Sequence, residues 1–213
     1  MSSLIFYTDP KQVFVVTDTL AIVHQEDGSA RPFLFTSKAL YLPHLRMIVA
    51  GTGMGGFSDD WFRVINTQML VHGIENLDEH APRKLAELWD EFTALPEYID
   101  GKTTTIYHFG ISEESGEVAA FAYRSANGFA SERIGYGIAT KPGVEVPDGN
   151  LIDHIKEVMD RQRRSEAASG SADRVHIGGE AIAIHLTANE CKHSSLFQFE
   201  DFEQDSAEAF SNV

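Results

Sequence analysis

Met1-Ser2-Ser3-Leu4-Ile5-Phe6-Tyr7-Thr8-Asp9-Pro10-Lys11-Gln12-Val13-Phe14-Val15-Val16-Thr17-Asp18 opens the chain, and the fold turns on how this stretch is read. Ser3 to Tyr7 is a short apolar run, Thr8-Asp9-Pro10-Lys11 is a turn, and Gln12 to Thr17 is a second run rich in β-branched and aromatic residues. Two such runs around a tight polar turn predict an antiparallel hairpin that starts almost at residue 1. The Met1-Ser2 junction has chemical content of its own. A small second residue favours removal of the initiator methionine, which would expose an α-amine on Ser2 with a pKa of about 8. A residue carrying both a hydroxyl and a free amine can act as nucleophile and base together, provided the sheet holds it rigid.

Working outward, a second strand group covers Arg31 to Lys38, Ala39 to Leu42 and Leu45 to Ala50, with a turn at Pro43-His44 and a loop at Glu26-Asp27-Gly28-Ser29. From Ser58 the apolar period becomes helical (Trp61, Val64, Ile65, Met69, Leu70), with Ser58 and Asp59 able to cap the start. A second helix is expected from about Pro82, carrying Leu85, Leu88, Trp89 and Phe92 on one face. Thr104 to Ile111 and Glu117 to Arg124 form a hairpin, followed by a strand over Phe129 to Ile134 and a turn at Gly135-Tyr136-Gly137. A third helix spans about Asn150 to Arg164, a flexible connector Ser165 to Asp173, and a last hairpin pairs Val175 to Thr187 with Lys192 to Phe199. Strand groups and helix groups are segregated, which excludes a parallel βαβ series and implies antiparallel sheets covered by helices, an α+β fold. Residues 1–200 read as one domain and 201–213 as a flexible acidic tail.

The chain has 213 residues, 17 basic and 32 acidic, for a net charge of −15. That balance argues against nucleic acid or an anionic membrane as the main partner, and suits neutral or cationic substrates better than anionic ones. The single cysteine, Cys191, excludes an internal disulfide framework and a multi-cysteine zinc site. No apolar run approaches the roughly 20 residues needed to cross a bilayer, and no basic segment precedes an apolar one at the N-terminus. The expected compartment is the cytoplasm.

Two motifs are weighed and set aside. Gly51, Gly53 and Gly56 fit the G-x-G-x-x-G spacing, but the fingerprint has meaning only in a parallel βαβ unit, so close packing at a strand-to-helix bend is preferred. Nine histidines are scattered without a helical H-x-x-x-H pair. His185, Cys191 and His193 near one hairpin form the one candidate cluster, and no metal is expected.

Ser2 to Asp18 resembles the opening of proteasome β subunits and of the ring subunit of the bacterial ATP-dependent peptidase, which have the N-terminal nucleophile (Ntn) hydrolase fold. By that resemblance the family's nucleophilic Thr falls on Ser2, its Asp on Asp18, and its Lys on Lys38, ahead of the glycine segment at Gly51-Thr52-Gly53. The family's Gly-Ser-Gly turn before a helix is matched to Gly135-Tyr136-Gly137, and its Gly-Gly pair to Gly178-Gly179. Departures are a Ser for the Thr, Tyr136 for the assisting Ser, and Arg174 and Ile177 where the family has Asp and Ser. The resemblance implies a four-layer αββα sandwich of two stacked antiparallel sheets. It implies hydrolysis of peptide or amide bonds without a cofactor, with Ser2 as nucleophile, Lys38 and Asp18 as its supporting ion pair, Gly53 at the oxyanion hole and Tyr136 in a supporting position. It also implies a ring homo-oligomer, a peptide substrate and an ATP-dependent unfoldase as partner. A non-catalytic ring subunit or scaffold is the alternative, and an unrelated small-molecule amidohydrolase is a third.

Overall fold

The structure, a computed structural model, describes residues 2–25, 29–96, 98–99, 101–170 and 174–211. Met1, most of the loop expected at 26–29 and the end of the connector expected at 165–173 lie outside the described residues. Strands β1 (Leu4–Asp9) and β2 (Gln12–Asp18) form the expected hairpin, with Leu4 opposite Thr17 and Asp9 opposite Gln12. Asp9 makes the turn, its Oδ1 accepting from the amides of Lys11 and Gln12 at 2.7 and 3.1 Å.

Among the described residues the hairpin sits in a five-stranded sheet of order β10-β1-β2-β11-β12, where β10 is Gly137–Lys141, β11 Glu180–Thr187 and β12 Cys191–Gln198. A second sheet runs β5-β6-β7-β8-β9, from Ala39–Leu42, Met47–Gly53, Thr104–Ile111, Val118–Arg124 and Ser131–Arg133. All neighbours in both sheets are antiparallel. A separate two-stranded sheet pairs β3 (Leu20–His24) with β4 (Ala30–Phe35).

Alternation along the strands builds the layers. Leu4, Phe6, Val13 and Val15 from one sheet meet Ile48, Ala50, Tyr107 and Phe109 from the other in the central core. Ile5, Val16, Ala181 and Ala183, on the opposite face, pack under helix α3 (Leu151–Ala168) through Ile155, Val158 and Met159. Met47, Val49, Phe121 and Tyr123 pack under α1 (Phe57–Gln68) and α2 (Ile74–Thr93) through Trp61, Ile65, Leu77 and Leu85. The result is the four-layer αββα sandwich that the resemblance implied.

Several boundaries differ from the sequence reading. Helix α2 starts at Ile74 and carries Pro82 inside it. A proline in a helix removes one N–H and crowds the turn before it. Here the turns on either side bury Leu77, Ala81 and Leu85, and the carboxylate of Glu113 receives the orphan amides of Glu75 and Asn76 at 3.1 and 2.7 Å. Helix α3 runs through to Ala168, so the first part of the expected connector is helical. The stretch expected as a flexible acidic tail folds as α4 (Phe202–Phe210), with the Phe202 ring 5.1 Å from that of Phe35 on β4 and Asp201 paired to Arg163 of α3. Gly51 and Gly53 of the glycine-rich segment, and the pair Gly178-Gly179, serve close packing. A Cβ on Gly51 would collide with Ser58, and one on Gly178 with Leu20.

Candidate active site

Asp18 ends β2 and is fully buried. Its carboxylate accepts from three donors: Oδ1 from the Ser3 amide at 2.9 Å, Oδ2 from Lys38 Nζ at 2.8 Å and from the Gly178 amide at 3.1 Å. Lys38 stands just ahead of β5, where β4 has already ended, and is itself buried. Its ammonium also donates to the Leu20 carbonyl at 2.6 Å. An ammonium has three N–H donors, so one remains after these two bonds. Burying such a pair is tolerated because the charges and the remaining lone pairs are hydrogen-bonded.

The first described residues are held on both sides. Ser3 is fully buried, and its hydroxyl donates to Gln162 Oε1 at 2.5 Å. Gln162 Nε2 in turn donates to the Pro142 carbonyl at 2.8 Å. This wholly buried glutamine lies on the inward face of α3, seven residues after Ile155. Helical period therefore gives its orientation from sequence, although its partners cannot be read that way. Ser2, 8% exposed, shares a cavity of about 80 Å³ with Thr52, Gly53, Thr104, Lys141 and Pro142. Gly53 has φ of 104°, and the Thr103 backbone occupies the space a Cβ would need, so this cavity wall requires glycine.

Lys141 is a site residue that sequence reasoning missed. It ends β10 opposite Leu4, and its Nζ donates to Thr105 Oγ1 at 2.8 Å over the Tyr107 ring. Burial pushes its amine down to about 8, with the nearby Arg124 guanidinium adding to the effect. Ser3 and Gln162 were missed as well, because their contact joins segments far apart in sequence, and Gly178, matched as part of the Gly-Gly pair, gives its amide to Asp18.

Tyr136 is a correction. Gly137 pairs with Thr8 and Lys141 with Leu4, so Tyr136 stands at the end of β1 remote from Ser2. It is 52% exposed, and its hydroxyl donates to the Val118 carbonyl. The Gly135-Tyr136-Gly137 segment was matched to a turn before a helix, but the five-residue strand β10 comes between. The connection that reaches the cavity begins at Lys141-Pro142. The two positions matched to the family's Asp and Ser, Arg174 and Ile177, carry neither a carboxylate nor a hydroxyl. Arg174 Nε donates to His176 Nε2 at 3.3 Å, and Ile177 is buried beneath α3. Burial, with the charges of Arg174 and His24, lowers the pKa of His176.

The histidine–cysteine cluster does not converge. His185 Nε2 pairs with Gln12 Oε1 at 2.9 Å, while Cys191 Sγ lies 3.7 Å from His193. Among the described residues no group of three His, Cys, Asp or Glu side chains is placed to hold a metal. The G-x-G-x-x-G spacing falls after an antiparallel strand and before α1, outside any βαβ unit. Among the described residues no helix is long and apolar enough to cross a membrane.

No family model matches the chain, and no curated protein matches it. A solved structure that does match is Anbu from Hyphomicrobium sp. strain MC1, with a TM-score of 0.58 and 13% identity over 99% of this chain and 94% of that one. This corrects the resemblance to proteasome β subunits and the ATP-dependent peptidase ring subunit. The structure matched here is Anbu, and Tyr136, which the resemblance put in a supporting position, lies away from the cavity. At 13% identity the likeness is one of fold, the four-layer αββα sandwich.

Proposed function

We propose that the chain is an Ntn-type hydrolase of peptide or amide bonds, with Ser2 as nucleophile once Met1 has been removed. The observation that carries this reading is the Asp18 carboxylate, which ties the Ser3 amide and the Lys38 ammonium together one residue from Ser2. The Ser2 α-amine takes the hydroxyl proton as Oγ attacks the carbonyl carbon. The Lys38 charge lowers the basicity of that amine to a useful range and, with the Gly53 amide, offsets charge on the carbonyl oxygen. The amine then passes its proton to the leaving nitrogen, and water hydrolyses the acyl ester. These steps use groups of this chain and water, with no cofactor. Asp18 pairs with Lys38 and aims it, while Gln162 holds the adjoining Ser3.

Self-association belongs to the same proposal. Phe33 is 51% exposed and Leu34 39% on the β3–β4 hairpin, an apolar edge suited to a second copy. Sizing at moderate ionic strength should give a particle well above 23.6 kDa.

Intact-mass measurement on protein from its native host, followed by reaction with a peptide electrophile, tests the reading. Loss of Met1 and a single adduct on Ser2, absent from Ser2→Ala, are expected. Retained Met1, or an adduct that survives Ser2→Ala, would end it. A large particle with neither adduct nor peptide turnover would indicate the scaffold instead.

A further inference from the structure

The cavity beside Ser2 contains a cation without an anion. Lys141 Nζ reaches Thr105 Oγ1 and the face of the Tyr107 ring, and among the described residues no carboxylate pairs with it. The neighbouring cation, Arg124, is already satisfied, its Nε donating to both oxygens of Glu132 at 3.1 and 3.2 Å. An ammonium that is more than half buried and unpaired is costly to keep. An ionisable group perturbed by burial and lining a cleft is a candidate for function, here the binding of an opposite charge. Thr52 lines the same cavity. Its Oγ1 is buried, lies near the Tyr107 hydroxyl, and lacks the geometry of a hydrogen bond to it or to any other described atom. A cation and an unused hydroxyl thus line one small chamber with Ser2. Its volume of about 80 Å³ is well above the roughly 10–15 Å³ that a single water requires.

We propose that Lys141 is the specificity residue of this site, receiving a carboxylate carried by the residue whose carbonyl Ser2 attacks, so that the substrate class is an acidic peptide. One carboxylate oxygen accepts from Lys141 Nζ, and the other from Thr52 Oγ1. This departs from the neutral or cationic substrates suggested by the overall charge of −15, because the contact is made inside the cavity and not at the surface. With an amine titrating near 8, Lys141 is predominantly charged at neutral pH.

The inference rests on the reading of Ser2 as nucleophile, and its test separates the two. Acetylated tetrapeptide amides ending in Glu or Gln are titrated calorimetrically into Ser2→Ala protein, which binds without turnover. Binding of the Glu peptide at least tenfold more tightly is expected, with the difference lost in Ser2→Ala/Lys141→Met and kept in Ser2→Ala/Lys141→Arg. Equal affinity for the two peptides, or a preference that survives Lys141→Met, overturns the proposal. Failure of wild-type Ser2 to react with an electrophile overturns the nucleophile reading, whatever the calorimetry gives.

Discussion

At Asp18 one buried carboxylate serves three donors, so its stability depends on all of them being present. Lys38→Met leaves that carboxylate without its cation, and breaking one side of a buried pair costs about 3–5 kcal/mol. Urea unfolding should register a loss of that order, and Ser2 labelling should fall to background in the same protein. Lys141 gives a second residue-scale expectation through pH. Its folded pKa of about 8 lies below the ordinary 10.5, so between those values the unfolded chain binds more protons and stability rises with pH. The groups facing it are Arg124, the Thr105 hydroxyl, Ser2 and the Tyr107 ring, whose own pKa burial raises above 10. The rise should therefore be measured between about pH 8 and 10, and Lys141→Met should flatten it. The contact of Asp18 with Lys38 had a trace in sequence, an acid at a strand end and a lysine before the next strand. Lys141 had none, because Gly137-Ile138-Ala139-Thr140-Lys141 is a partly exposed edge strand without the apolar run that marks β1.

Among the elements, the best-read ones carry their own signal, and the misread ones borrow it from elsewhere. The β1–β2 hairpin is written in two apolar runs and in Asp9, and β7, buried on both faces, in its β-branched and aromatic residues. Helix α2 was placed eight residues late because Pro82 reads as a start signal, while its real start is completed by Glu113 from the β7–β8 turn. Glu113→Ala should cost about 0.5–2 kcal/mol, as loss of a helix cap does, seen as a lower thermal midpoint. Helix α4 was hidden by its acidic residues, since the face that packs is identified by the Phe202–Phe35 contact, the buried Ala209 and the pairing of the preceding Asp201 with Arg163. Strand β7 and helix α1 meet at His108, whose Nε2 accepts from the Trp61 indole at 2.8 Å. Burial pushes this histidine down to about 3 from an ordinary 6.5, so the unfolded chain takes up a proton that the folded one refuses. Stability should fall as pH drops from about 6.5 towards 3. His108→Gln keeps an acceptor for Trp61 and should remove that part of the slope.

For the molecule as a whole, the charge of −15 and the cation inside the cavity act at different ranges. The field of the surface repels an acidic peptide during approach, and it is screened as the Debye length shrinks from about 30 Å at 0.01 M salt to about 8 Å at 0.15 M. The contact with Lys141 lies within the walls and is screened much less. Stopped-flow association of the Glu peptide should therefore quicken as salt rises over that interval, and slowing would mean that attraction prevails at long range as well. The packing of α3 on the first sheet has a mechanical consequence. Gln162 grips Ser3 with one end of its amide and Pro142 with the other, adding a side-chain tie to the β1–β10 pairing that joins two banks of the Ser2 chamber. When α3 shifts by a fraction of an ångström, the two banks travel together and the gap between them keeps its width, much as a tie-bar holds the gauge of a track.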